Sequence, residues 1–205
     1  GSWQTLRFTR AHLVNVIRMA LYSSDVLSVL PPMIDSAARD NNLVALARLA
    51  QRLDISDDIA LGMHNSVVCT EDAPFYPQVD AEEGEGTYMG PGFLAGLKAM
   101  CEPWPRGEMG EQFKAPLKSD IPTLLLSGGR DPITPPAYGD QLMQTLGNAR
   151  HLVVPKRGHQ VGLLGCVPDI IARFVISAEP GSLSADCLER VQAVPLFLDR
   201  NGPSP

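Results

Sequence analysis

The sequence predicts an α/β fold, two parallel strands with flanking helices, preceded by a mostly helical region. The apolar runs 123–126 and 152–154 are short and bounded by Gly and Pro, as buried parallel strands are. Between them Tyr138, Leu142, Met143 and Leu146 fall at helical spacing, and after them Val167, Ile170, Ile171, Phe174 and Val175 form an amphipathic stripe. Two parallel strands joined by a helix bring their C-terminal ends side by side. Asp131 and Gly158-His159 fall at those ends, where open α/β sheets place their chemistry.

From Thr9 to about Val68 the periodicity is helical. Leu13, Val16, Ile17, Ala20 and Leu21 make one stripe and Leu43, Leu46, Ala47, Ala50 and Leu53 another, so these helices need a partner surface. Pro31-Pro32 predicts a break or a fresh helix start, and Asn41-Asn42 caps the helix that follows. A short helix from Asp57 or Asp58 to about His64 leads into Ser66-Val-Val-Cys-Thr-Glu-Asp72. Residues 74–92 carry Pro, Gly and four acidic side chains with little periodicity and read as a long surface loop, with Glu82, Glu83 and Glu85 solvated. A helix over 92–100 ends at Cys101-Glu-Pro-Trp-Pro105, and a polar connector over 106–120 puts a domain boundary near Lys118. The expected organisation is a helical region at 1–117, an α/β unit at 118–198, and a Pro/Gly/Ser-rich tail at 199–205 that is disordered.

At 205 residues and 44% hydrophobic, the chain is long enough for one sizeable domain or two smaller units. A net charge of −6, a pI near 5.2 and the lack of clustered Lys and Arg argue against a nucleic-acid surface. No run approaches the roughly 20 apolar residues of a membrane span. No cleavable signal begins this numbering, and Gly1-Ser2 fits a scar left by tag removal. The four cysteines make no C-x-x-C pair and the four histidines lack ligand spacing, which argues against a structural metal site, and no cofactor is implied.

A carboxylate at Asp131 and an imidazole at His159 supply the base half of a Ser-His-Asp triad. Asp131 also suits the cap of a helix beginning near Thr134-Pro135-Pro136, and a lone histidine in a Lys-Arg-Gly-His loop is compatible with a surface position. For His159, position after the second strand with Gly before it decides for function; for Asp131 the choice rests on the resemblance given below, whose acid loop Gly-Gly-Arg-Asp-Pro-Ile-Thr-Pro matches. His12 and His151 have no such context and read as structural or exposed. No G-x-S-x-G elbow exists in the chain. Ser127 is the nearest imitation, but it stands in Leu-Leu-Ser-Gly-Gly on the strand leading to Asp131 and lacks a Gly two residues before it.

Taken with Gly62-Met-His-Asn-Ser-Val-Val-Cys-Thr-Glu-Asp72 upstream, these segments resemble the C-terminal part of α/β-hydrolases. More narrowly, they resemble the tripeptidyl-aminopeptidase and prolyl-aminopeptidase-like branch of the serine peptidases. Three blocks match in order from about Leu21-Tyr-Ser23 through Cys187, so the resemblance covers most of the chain. It implies that 1–117 is a lid or cap, that 118–198 is the C-terminal part of the hydrolase core, and that the nucleophile-bearing half lies upstream of these residues. In that setting His159 takes the serine proton and returns it to the leaving amine, while Asp131 holds the imidazole's tautomer. The resemblance also turns Glu71, and second Asp72, toward the catalytic pocket, where a carboxylate binds the α-ammonium of a peptide with a free N terminus. A solvated acidic turn is the alternative for that pair. His64 becomes a lid residue near the substrate side, and Trp104, between two prolines, lid packing.

Cysteines pairing locally, Cys166 with Cys187 and Cys69 with Cys101, is the least demanding of three connectivities, and four buried reduced thiols are the other reading. Related secreted peptidases place cysteines similarly. Oxidised cysteines imply a periplasmic or secreted protein. The expected activity is that of a serine peptidase releasing residues or short peptides from a free N terminus, with this chain inactive alone. An esterase or amidase of the same fold acting on small molecules, or a non-catalytic binding module, are the alternatives. The expected partners are the peptide substrate, the missing N-terminal half and, through an open strand edge, a second copy in a homodimer.

Overall fold

Thr123–Gly128 (β1) and Ala149–Val154 (β2) form a parallel ladder in which Leu126 faces Leu152 and Gly128 faces Val154. The structure, a computed structural model, describes residues 7–53, 59–76, 86, 88, 90, 92–199 and 201–203. The expected helix start at Asp57 or Asp58 and the acidic loop residues Glu82, Glu83 and Glu85 lie outside the described residues. The strands run two to three residues beyond the apolar runs. Pairing continues through Ser127 and Gly128, and through Ala149 to His151, because backbone groups satisfy one another whatever side chain they carry.

The chain divides into two compact units, Gly1–Ala50 with Pro116–Pro205, and Gln51–Ala115. Packing thus groups the first helices with the α/β segment. In the first unit, helices Arg10–Ala20 (α1), Ser24–Ser28 (α2), Leu30–Asp40 (α3) and Val44–Arg52 (α4) gather around Val16, Ala20, Leu30 and Leu46. Pro31 sits in the first turn of α3, where its missing N–H costs nothing, so the Pro-Pro pair starts that helix. Asn41 closes α3 in the left-handed conformation, and the Asn42 side chain accepts the Val44 N–H at 3.2 Å to open α4.

Pro136–Met143 (α7) crosses from β1 to β2, and Val167–Ser177 (α8) packs on the sheet. Leu152, Val154, Val161, Val167 and Ile170 form the core there, with Leu124 and Leu126 of β1 against them. Val175, expected on the packed stripe, is 73% exposed, so the buried face of α8 is narrower than its periodicity suggests. Cys166 and Cys187 are joined by a disulfide at that core. At the tail, Leu198, Asp199, Asn201 and Gly202 form a turn, with the Asn201 N–H on Asp199 Oδ1 at 2.7 Å.

In the second unit Leu61–Val67 (α5) runs on into a π-helical turn, Val68–Asp72, and a 3-10 turn, Ala73–Phe75. The helix thus ends later than its sequence suggests, and Ser66 to Asp72 is helical rather than a segment beyond it. Gly92–Cys101 (α6) is tied to the π turn by a disulfide between Cys69 and Cys101 with Cα atoms 5.1 Å apart. Both pairs are oxidised, which fits a non-cytoplasmic setting. No helix among the described residues is long and apolar enough to cross a membrane.

Candidate active site

Asp131 stands three residues past the end of β1, in a turn that its own side chain closes. Its Oδ1 accepts the N–H groups of Ile133 at 2.8 Å and Thr134 at 3.0 Å. Its Oδ2 accepts the Thr134 hydroxyl at 2.9 Å and lies 2.9 Å from His159 Nδ1. One carboxylate therefore does both jobs the sequence suggests for it, organising the approach to α7 and orienting an imidazole. The Asp131 side chain is only 3% exposed. Burial raises its pKa, but hydrogen bonds from the Thr134 N–H, His159, the Ile133 N–H and the Thr134 hydroxyl outweigh that, leaving the carboxyl below the ordinary carboxylate range.

His159 follows β2 on a loop that the backbone clamps to the Asp131 turn. The Gly129 N–H donates to Val154 O at 2.9 Å and the Arg130 N–H to Arg157 O at 2.8 Å. Gly128 lies directly against the Gly158 carbonyl, and a side chain there would have no room. On its other side the loop meets the α1–α2 junction. Tyr22 packs edge-on to the His159 ring with centroids 5.1 Å apart, and Ser24 Oγ accepts the Gly158 N–H at 3.3 Å. With Nδ1 facing Asp131, the neutral imidazole presents Nε2 as acceptor. Among the described residues no group hydrogen-bonds Nε2, which is the atom a general base uses.

Ser127 does not approach His159. Its Oγ lies 2.9 Å from Nε2 of His151, whose Nδ1 lies 3.0 Å from Asp140 Oδ1. The His151 side chain is 5% exposed and lies under Gly139, where a Cβ would come within 2.5 Å of the ring. This second hydrogen-bonded array joins β1, β2 and α7 through one imidazole. His151 is therefore neither exposed nor idle. Tyr22, Ser24 and Thr134 are also site residues; Tyr22 falls in the first block of the resemblance without a role assigned to it, Thr134 has the spacing of three positions after an Asp, and nothing in the sequence singles out Ser24.

Glu71 and Asp72 lie on the π turn of the second unit. Asp72 pairs with Lys114 at 3.4 Å, with both side chains about half exposed, and the Lys114 ammonium also sits over the rings of Phe75 and Phe113 at 4.9 and 5.4 Å. Burial first, and then the charge of Asp72, push the Tyr76 hydroxyl above its ordinary pKa. Glu71 is half-buried and makes no ion pair among the described residues. Trp104 donates its indole N–H to Ser66 Oγ at 3.2 Å, and the Gly107 N–H donates to Thr70 Oγ1 at 2.9 Å. The His64 ring Nδ1 lies 3.1 Å from Oδ1 of its neighbour Asn65. Among the described residues no group of His, Cys, Asp and Glu is arranged to hold a metal ion.

A buried carboxylate and an imidazole with a free Nε2, at the C-terminal ends of neighbouring parallel strands, have the geometry of the acid and base of an α/β hydrolase. A family model described as TAP-like protein matches residues 87–187, just under half of the chain, a span that includes both residues. The match supports a hydrolase of the α/β-hydrolase class and agrees with the helices and two-stranded parallel sheet described above. No curated protein and no solved structure matches the chain.

Proposed function

We propose that this chain supplies the acid and the base of a serine peptidase that acts at a free N terminus, with Asp131 and His159 as two members of a Ser-His-Asp triad. The observation that carries this reading is the 2.9 Å contact of His159 Nδ1 with a buried, multiply hydrogen-bonded Asp131. That contact fixes the tautomer and favours the imidazolium that forms when a serine proton is taken up. The nucleophile comes from residues outside these 205, since the chain has no G-x-S-x-G and Ser127 bonds a different histidine. The chain alone is inactive on this reading. Its setting is the periplasm or the extracellular space.

Glu71 is the first candidate for the peptide's α-ammonium. Lys114 already neutralises Asp72, whereas Glu71 sits half-buried on a π turn, an element that recurs at functional sites. Residues 1–117 make up the lid region in this proposal. Kinetics of the elbow-containing parent on aminoacyl and ester chromogenic substrates test it. Asp131→Asn and His159→Ala each lower kcat by at least about a thousandfold if the triad holds. A Glu71→Gln variant that raises KM for free peptides but not for N-acylated ones supports the exopeptidase reading. Preference for small esters, with no effect of Glu71→Gln, supports an esterase of the same fold instead.

A further inference from the structure

Arg157 and Arg190 line a single cavity of about 360 Å³ in the first unit, and no carboxylate lines it with them. Neither guanidinium makes an ion pair among the described residues. The Nε of Arg157 is buried and has no hydrogen-bond partner. Buried donors are almost always satisfied, so this arginine, which lines the cavity, lacks among the described residues an acceptor that a guanidinium ordinarily finds. In a chain of net charge −6, two cations sharing one cavity without a carboxylate is the opposite of what composition favours.

The surroundings fit the same conclusion. Gln192 adds a side-chain amide to the lining. Gly165 and Cys166, just before α8, line it too. The Cys166–Cys187 disulfide ties the start of α8 to the segment that carries Arg190. The cavity walls are therefore held together before any ligand arrives, which lowers the ordering cost of binding.

We propose that this cavity binds a small oxyanion, a phosphate or carboxylate group, clamped between Arg157 and Arg190. Guanidinium forks match the paired oxygens of both groups, and charge-assisted bonds in a partly desolvated cavity are the strong kind. The site is separate from the Asp131–His159 pair but shares a loop with it. The carbonyl of Arg157 holds the Arg130 N–H, and His159 follows two residues later. An anion that orders the Arg157 side chain also stiffens the loop carrying the histidine.

The test uses the 205-residue chain, titrated with sodium phosphate and with sodium acetate at constant ionic strength, with sodium chloride as the reference. Arginine Nε–H resonances and thermal unfolding are followed together. Saturable shifts of the Arg157 and Arg190 side-chain signals, with half-saturation weakened at least about tenfold in Arg190→Gln, are the expected result. Saturation by phosphate alone assigns a phosphoryl ligand, and saturation by acetate assigns a carboxylate. Arg190 is exposed, so its replacement by Gln leaves the fold intact even where Arg157→Gln does not. A response matched by chloride, or one that persists unchanged in Arg190→Gln, overturns the proposal.

Discussion

Ser127 Oγ lies 2.9 Å from His151 Nε2, while His159 faces Asp131 on the neighbouring loops. Among the described residues there are thus two imidazole–carboxylate pairs, and the serine belongs to the one whose ring is shielded from solvent. A nucleophile needs access, and a histidine 5% exposed beneath α7 gives little. The array is better suited to joining β1, β2 and α7. His151→Ala is expected to lower the stability of the chain by about 1–3 kcal/mol, since it opens a buried space and strands the Ser127 hydroxyl. In the elbow-containing parent that the proposed function calls for, Ser127→Ala should leave kcat within a few-fold. Urea unfolding of the first variant and turnover by the second check this, and loss of activity in Ser127→Ala would return the serine to the list of nucleophiles.

The Asp131 carboxyl has a folded-state pKa below its unfolded value, so its contribution to stability is present above the ordinary carboxylate range. It is lost as the pH falls from roughly 4 through the lower folded value. Asp131→Asn removes that titration. The variant is expected to show a flatter acid limb of stability than the parent sequence below about pH 4, with a smaller difference in slope near neutrality. Denaturant midpoints measured from pH 2.5 to pH 7 decide the matter, and parallel curves would show that the carboxyl does not titrate as the hydrogen bonds require.

Gly128 is expected to tolerate no side chain. Its backbone is not in the left-handed region, so the restriction comes from contact with the Gly158 carbonyl alone. Gly128→Ala must push the two loops apart, at a cost of about 1–3 kcal/mol. The imidazole Nδ1–H signal of His159 should broaden or disappear in the same variant. A stable Gly128→Ala protein with that proton unchanged would mean that the loops have slack which the structure does not show.

What the sequence makes legible here is local. Short apolar runs bounded by Gly and Pro give β1 and β2, the residues just after them give Asp131 and His159, and Pro31 marks the start of α3. Local pairing, the least demanding of three connectivities, is the one the structure holds. What stays hidden depends on partners far away in sequence. Tyr22 reaches His159 only because the α1–α2 junction packs on the second strand's loop. The π turn at Val68–Asp72 is held by Cys101 and Gly107, and no periodicity in residues 61–72 announces it. His151 reads as structural or exposed on its own, and its role appears only when Ser127 and Asp140 are brought to it.

Both disulfides are expected to form in the protein as isolated. Thiol titration under denaturing conditions should find no free cysteine without reductant and four with it. Removing Cys166–Cys187, which closes a loop of 21 residues, should cost about 3 kcal/mol, and Cys69–Cys101, which closes 32, slightly more on chain-entropy grounds. The first sits in the core around Val167 and Leu188, so its loss should also loosen α8 in hydrogen exchange. Four free thiols in fresh protein would reject both pairings.

The last expectation concerns association. The sheet has two strands among the described residues, so the far edge of β1 presents unpaired backbone groups. Ile121 and Leu117, just before β1, are 72% and 64% exposed, and Val175 and Ile176, near the end of α8, are 73% and 86% exposed. Single exposed apolar residues are ordinary, but an open strand edge flanked by several is a template for pairing. The chain alone is therefore expected to self-associate, most simply as a two-fold dimer through β1. Light scattering across a hundredfold range of concentration, roughly the span over which a weak dimer dissociates, should show a rising mass. Replacing Leu125 by Pro on β1 would remove an N–H from the strand and perturb the fold, whereas Ile121→Lys adds a charge beside the edge and leaves the ladder intact. Ile121→Lys should shift the protein toward monomer. A monomer at every concentration in the unaltered chain would show that the edge is protected, and would remove the reason to expect a partner strand there.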